Sequence, residues 1–509
     1  MALFESVLTL LLLAILLLQV SRRLSIPYPT MLAAAGLCVA ALPWTPDVSL
    51  DPHLVLVLFI APAILDSAFE FPVRAIRRYW MPLFALAVVA VLLTTAAVAW
   101  AAVAYAGMPI AAAVVLGAIV SPPDAAAAAA MLNRPSLPRS TVTVLKGESL
   151  LNDAVALFIF SVGIRMNAAD GGALAVLPQL AFAIPGGILL GIVTGRITIF
   201  LIPFLAGTLG GILFQFVATF STWLIADRLG LSAILAVVAT AMTAARYGSG
   251  FSARDRLHTN SVWSVVVFLL NVLAFLLVGL QARTIVRDLD GARVRHALIF
   301  GALVLAIVVV VRIVWVMLYN RAVQPIYRRL GYGKGPTIKQ GIVASWCGMR
   351  GMVTLAAALA LPANFPERDL IVLSALIVVV GTLVIQGATL EPLIRLLKFP
   401  ADISRDDELA HARTTLVEAT ESALEGRDDV AAAFLRSELR ATEAASDEPV
   451  GSASTEATRT RVIQSQRDAL KRLRREGRIE DETFRRLEQE LDLKEVAMLR
   501  GGEFDLVDT

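Results

Sequence analysis

Thirteen apolar segments dominate the first 400 residues, near 2–20, 28–43, 53–70, 80–105, 109–131, 148–166, 175–204, 207–226, 231–246, 261–282, 296–318, 340–361 and 369–397. Each is about long enough to cross a hydrocarbon core ~30 Å thick, although several are shortened or interrupted by Pro or Gly. A soluble domain has no interior large enough to hide them. The chain is 57% hydrophobic over 509 residues, so most of that surface must face lipid. In lipid every backbone N–H and C=O needs an internal partner, which leaves helices as the structure for these segments. The expected fold is an all-α polytopic membrane protein with about thirteen transmembrane helices.

Charge divides the chain in two. Residues 1–400 hold 28 Lys/Arg against 16 Asp/Glu, and residues 401–509 hold 17 against 26. This reads as a basic membrane domain, 1–400, followed by an acidic helical tail, 401–509. The basic residues fall in alternate loops, among them Arg22 and Arg23; Arg74, Arg77 and Arg78; Arg134, Arg139 and Lys146; and Arg321, Arg328, Arg329, Lys334 and Lys339. By the positive-inside rule these loops are cytoplasmic. Thirteen spans then put the N-terminus outside and the tail inside a cell inner (plasma) membrane. Topology accounts for the Arg clusters, so they do not indicate a nucleic-acid partner. Residues 1–20 have no basic leader and no small-residue cleavage site, and read as a retained first span. The tail carries amphipathic helical spacing around a Ser/Thr/Glu-rich stretch, 444–457; a solvated appendage and a regulatory or dimer-contacting domain both fit it.

No enzyme chemistry is visible. Cys38 and Cys347 lie in apolar segments and the four histidines are scattered, which leaves no metal-ligand cluster and no disulfide framework. A nucleophile elbow and a phosphate loop are also missing. No cofactor is expected.

What remains is charge inside the membrane. Placing a carboxylate mid-span costs about 3 kcal/mol or more and usually marks an ion or proton path. Most acids of the membrane domain fall at span ends or in loops; Asp66, Asp124, Glu148, Asp153 and Asp227 lie within or beside spans. Asp153 sits in Gly147–Phe160, a run otherwise apolar enough to lie in a bilayer. Ser149 lies four residues before it on the same helix face, so their oxygens can serve one ion. Asn152 can donate a hydrogen bond to span five. Glu148 needs a partner, and Arg312 in span eleven is the candidate for a buried structural pair.

Two spans carry breaks. In Gly117–Ala125, Pro122 and Pro123 remove two backbone donors and cannot continue a helix smoothly. Such a break survives in a bilayer only when buried in protein or lining a wet cavity. Asp124 follows, placed to cap a helix 125–131 or to join the freed carbonyls around a cation. In span twelve, Gly348 and Gly351 weaken the helix around a buried Arg350, which could neutralise the carbonyl ends of opposed half-helices. Interruptions in spans five and twelve point to inverted repeats with a midplane site.

These segments together resemble the monovalent cation/proton antiporter family that contains the sodium/proton exchangers, in its bacterial branch. Gly147–Phe160 resembles the family's sixth-span motif with its Asn-Asp pair, and Gly117–Ala126 its fifth-span Thr-Asp-Pro motif. Phe59–Phe69 resembles the third-span segment, Asn271–Gln281 the tenth, Trp346–Pro362 the Gly-Leu-Arg-Gly segment of the twelfth, and Val384–Leu390 the thirteenth-span Val-Gln-Gly run. The resemblance implies that Asp153 binds the ion and the proton, with Ser149 as a further ligand of the transported Na⁺. It also implies that Asp124 and Asn152 hold the facing spans together, that Asp66 stands near the ion, and that the protein is a homodimer. Pro123 stands where the family has Thr, Ala125 where it has Pro, and Asp66 where it has Glu, which changes the ligand set.

The expected function is secondary antiport of Na⁺ (alternatively Li⁺ or K⁺) against H⁺, with proton and cation competing for Asp153. Only a neutralised carboxylate crosses cheaply, so exchange is obligatory. With Asn152 in place of a second acid, one cation moves per proton. A K⁺-preferring antiporter and, in a different class, a cation channel are the alternatives. A channel needs a continuous wet pore, whereas these charges cluster at two helix breaks.

Overall fold

The computed structural model describes residues 52–70, 73–124, 137–168, 172–205, 209–247, 253–288, 290–329 and 335–399, with five isolated positions before residue 52. The chain divides into two compact units, Met1–Ala401 and Asp402–Thr509, and every described residue belongs to the first. Apart from those five positions, the first two apolar segments lie outside the described residues, as do residues 125–131 and the tail.

Among the described residues the structure is helical throughout, without strands. The helices are α1 (52–70), α2 (Val73–Arg78), α3 (Trp80–Ala106), α4 (Ile110–Val120), α5 (Arg139–Ala168), α6 (Gly172–Leu205) and α7 (Leu209–Arg228). They continue as α8 (Ala233–Tyr247), α9 (Ala253–Asp288), α10 (Gly291–Arg329), α11 (Ile338–Trp346), α12 (Met352–Leu359) and α13 (Arg368–Leu397). Five stretches, Trp80–Ala106, Ser140–Asn167, Ala181–Leu205, Gly291–Pro325 and Arg368–Leu397, are long and apolar enough to cross a membrane. At ~1.5 Å per residue each exceeds the hydrocarbon thickness. Helices α6 and α10 expose rows of large apolar side chains, Phe182, Leu189, Phe200 and Phe204 on one and Ile299, Val310, Val314 and Leu318 on the other. Water would not tolerate such rows; acyl chains do.

Some helices outrun their apolar segments. Helix α9 extends the 261–282 run to Ala253–Asp288, and α10 extends 296–318 to Gly291–Arg329. Hydropathy registers the hydrocarbon slab alone, while helical hydrogen bonding continues into the headgroup layer among charged residues. Gly and Pro blur the boundary of α6 in the sequence, yet that helix runs through Pro185 unbroken. Its glycines serve packing: a Cβ at Gly187 would lie 2.6 Å from the Ser232 carbonyl oxygen, and one at Gly195 2.8 Å from the Thr243 Cβ. Small residues four apart let α6 and α8 approach closely, as membrane helix pairs do. The Thr194 and Thr240 hydroxyls, 2.8 Å apart, join across the contact.

Helices α3, α4, α5, α10, α11, α12 and α13 pack around one another, and α6, α7 and α8 form a neighbouring layer joined through α1. Helices α1 and α3 each contain one π-helical turn, Leu56–Ile60 and Ala85–Val89. Trp315 of α10 donates its indole N–H to the Ala85 carbonyl oxygen at 2.8 Å, which pins α3 to α10 at that turn.

Candidate ion-binding site

Two stretches of irregular backbone meet inside the first packed group. Helix α4 stops at Val120 and residues 121–124 are non-helical; α11 stops at Trp346 and α12 begins at Met352, with residues 347–351 non-helical between them. The backbone N–H of Asp124 donates to the Met349 carbonyl oxygen at 2.7 Å, joining the two.

Arg350 holds the junction. Its side chain is 1% exposed. Nε donates to the Val120 carbonyl oxygen at 3.0 Å, Nη2 to that of Ser121 at 3.3 Å, and Nη1 to that of Gly348. Prolines 122 and 123 bring no N–H of their own to this bend, and the helix dipole ends negative at Val120. One guanidinium meets both deficits. Its backbone N–H is taken up by the Thr382 hydroxyl of α13 at 3.0 Å.

The glycines of the second break make room. A Cβ at Gly348 would come within 2.7 Å of Arg312 Nε and 3.2 Å of Arg350 Nη1, and one at Gly351 would overlap the Asp124 carboxylate. The sequence suggested only that these glycines weaken a helix. Packing shows that they admit two arginines and an aspartate.

Helix α5 supplies the other polar groups. Asn152, fully buried, donates Nδ2–H to the Pro123 carbonyl oxygen at 3.0 Å, while its Oδ1 has no partner among the described residues. Glu148 and Arg312 form a two-pronged pair at 2.5 and 3.1 Å, both at least 97% buried, and Arg312 Nη2 also donates to the Ala344 carbonyl oxygen at 2.9 Å. Ser149 is buried and lies one turn from Asp153, which is half-buried. Asp153 and Asp124 are near enough to repel. No hydrogen bond ties down the Asp153 carboxylate among the described residues. Asp66 lies on α1, and its side chain is outside the described residues. Breaking the Glu148–Arg312 pair has a predictable cost. Glu148→Gln leaves a buried guanidinium uncompensated and should lower stability by about 3–5 kcal/mol, whereas Glu148→Leu with Arg312→Met should recover most of it. Thermal unfolding of the purified variants in detergent measures both.

Formal charge can be counted at this cluster. Among the described side chains, which do not include that of Asp66, Arg312 and Arg350 stand against Glu148, Asp124 and Asp153, leaving one negative charge when all five are ionised. One proton or one monovalent cation neutralises it. Among the described residues no group of three or more His, Cys, Asp or Glu could hold a metal ion.

The sequence reading missed a polar stripe on α13. Thr382, Gln386 and Thr389 share one face: Thr382 receives the Arg350 N–H and Thr389 the Trp346 indole N–H at 2.8 Å. Gln386 lies between them, 1% exposed, with neither amide atom partnered among the described residues. Spacing of four and three in an apolar helix was a visible signal for this face. The contact of α4 with α3 was not visible: a Cβ at Gly117 would lie 2.6 Å from the Thr95 carbonyl oxygen.

Comparison with known proteins identifies the family and the fold. The family model described as the transmembrane part of the sodium/hydrogen exchanger matches residues 7–396. A Mycobacterium tuberculosis protein named as an uncharacterised Na(+)/H(+) exchanger is 32% identical over 502 residues, 92% of each chain. A Bacillus pumilus protein named as a sodium, potassium, lithium and rubidium/H(+) antiporter is 28% identical, over 77% of this chain and 61% of its own. Among solved structures, the sodium proton antiporter MjNhaP1 of Methanocaldococcus jannaschii shares the fold, with a TM-score of 0.60 at 17% identity over 79% of this chain and all of that one. The chain is an integral membrane protein belonging to the sodium/hydrogen exchanger family of antiporters.

Proposed function

We propose that this antiporter exchanges one monovalent cation, Na⁺ foremost, for one proton at Asp153 by alternating access. The observation that carries the reading is the single unbalanced negative charge among the described side chains of the cluster. Asp153 holds that charge without a hydrogen bond of its own among the described residues, beside two helix breaks rich in carbonyl oxygens. Ser149 lies one turn away and the Pro122–Asp124 backbone is held opposite by Asn152. Proton and cation are mutually exclusive occupants. The occupied site is neutral and crosses the hydrocarbon; the empty site bears the full desolvation cost and does not. One charge in for one charge out makes the cycle electroneutral.

The same reading places thirteen spans in inverted repeats, with the fifth and twelfth discontinuous. It places the N-terminus outside, the tail in the cytoplasm and a homodimer in the cell inner (plasma) membrane. Asp66 approaches the ion from α1. Pro123 offers its carbonyl to Asn152 rather than a hydroxyl to the ion, which makes the ligand set leaner on the α4 side. Li⁺ and K⁺ are the competing substrates, and a relative named for four alkali cations keeps K⁺ in view.

The test is cation-driven proton movement in proteoliposomes across Na⁺, Li⁺ and K⁺. Competition for one carboxylate requires the half-saturating cation concentration to rise as pH falls, by about tenfold per pH unit where the proton dominates. A half-saturating concentration independent of pH would exclude a shared site. Proton movement driven by voltage alone, with no ion gradients, would exclude electroneutrality. Flux that needs no counter-ion would indicate a channel.

A further inference from the structure

A cavity of about 270 Å³ opens among the ends of four helices, lined by Arg78, Tyr79, Ser140, Thr141, Tyr319 and Gln340 among others and by none of Asp124, Ser149, Asn152 or Asp153. Helices α3, α5 and α11 begin at it, while α10 ends there. Three helix N-termini therefore turn their positive dipole ends towards one space, that of α11 closed by a capping box between Thr337 and Gln340. Arg78 adds a full charge. Its guanidinium lies 5.5 Å from the Tyr79 ring centre and pairs with no acid among the described residues. The Tyr319 hydroxyl is buried without a partner among the described residues. Among the described lining residues none is Asp or Glu. Helix starts, a guanidinium and several hydroxyls with no acid between them describe a receptor for an anion with several oxygens.

The surroundings indicate the source of that anion. Trp80, at the cavity wall, is 52% exposed, and Phe84, one turn along α3, is 56% exposed on the same face. A Trp at a charged span end is the usual interfacial anchor. An apolar strip leading from a cavity with a guanidinium and hydroxyls in its partly apolar wall into the hydrocarbon fits a molecule with a charged head and acyl chains. Basic pockets between spans on the cytoplasmic side are a recognised setting for anionic headgroups. The charge asymmetry of the loops puts this end of the spans on that side.

We propose that this cavity binds the phosphodiester headgroup of an anionic phospholipid. Arg78, Ser140 and Thr141 hold the phosphate oxygens, and the acyl chains lie along Trp80 and Phe84. The bound lipid braces the starts of α3, α5 and α11 against the end of α10. Ala344, in the wall, accepts the Arg312 hydrogen bond, so the cavity lies directly over the Glu148–Arg312 pair.

The test uses the full-length chain in detergent with added phosphatidylglycerol or phosphatidylcholine. Lipid retained in native mass spectrometry and the shift in thermal unfolding are the readouts. Neither needs transport, so the result stands apart from the exchange reading. Wild-type protein should retain phosphatidylglycerol in preference to phosphatidylcholine and unfold at higher temperature with it. Arg78→Gln should loosen retention about fivefold and lose the thermal shift. Arg293→Gln, at the opposite end of α10, should change neither. If Arg78→Gln elutes as misfolded protein, Ser140→Ala with Thr141→Ala carries the same expectation. Retention by these variants equal to wild type would overturn the assignment. So would a thermal shift reproduced by inorganic phosphate alone, which would make free phosphate the ligand.

Discussion

Asp153→Asn is expected to abolish cation-driven proton movement in proteoliposomes while leaving the protein at least as stable as wild type. The amide matches the carboxylate in size but can neither carry an exchangeable proton nor neutralise a cation. Stability should hold because no hydrogen bond depends on the Asp153 carboxylate among the described residues, and α5 continues well beyond it on both sides. Removing the charge also relieves its repulsion with Asp124. Exchange and thermal unfolding measured on one preparation separate the two effects. Persistent exchange would sink the assignment of Asp153, and loss of stability together with exchange would make it a structural residue. Asp153→Glu keeps the charge but displaces it by a methylene; it should retain weakened exchange with a raised half-saturating cation concentration.

Arg350→Gln should have the opposite signature, losing stability and exchange together. The guanidinium serves three carbonyl oxygens, those of Val120, Ser121 and Gly348. An amide can reach at most one or two. Each buried carbonyl left without a donor costs about 1–3 kcal/mol, and the negative end of the α4 dipole loses its counter-charge as well. The junction carrying Asp124 should then open. Arg350→Lys supplies charge as a single point rather than a planar fork, so it should recover part of the stability and little of the exchange. Thermal unfolding in detergent and proteoliposome exchange check both variants. Wild-type unfolding of Arg350→Gln would show that the junction does not depend on this side chain.

Much of the fold was legible because a bilayer enforces a simple code. Apolar residues near 80–105 and 369–397 correspond to helices Trp80–Ala106 and Arg368–Leu397 almost residue for residue. Where a helix leaves the hydrocarbon the code lapses, as at the ends of α9 and α10. Within the site, the identity of the unusual residues was also legible. A carboxylate in an apolar run, paired prolines and an Arg between two glycines stand out against their surroundings because each is costly in lipid. Their partners were less accessible. Thr382 and Gly117 are ordinary residues in apolar helices, and their importance depends on which atom of another helix lies opposite.

The sequence by itself determined that this chain lives in a membrane, that its helices carry their acids and breaks at particular depths, and that Asp153 is the charge in greatest need of an explanation. Those are properties of single segments, settled by the transfer of side chains and backbone groups out of water. Tertiary structure alone decided that Arg350 ties the end of α4 to the second break. It also decided that Gly348 and Gly351 exist to admit arginine and aspartate side chains, and that three helix starts share one cavity beside Arg78. Those contacts join residues up to 230 positions apart. Lipid treats all apolar helix faces alike, so only side-chain fit and hydrogen bonding between helices can choose among the possible arrangements.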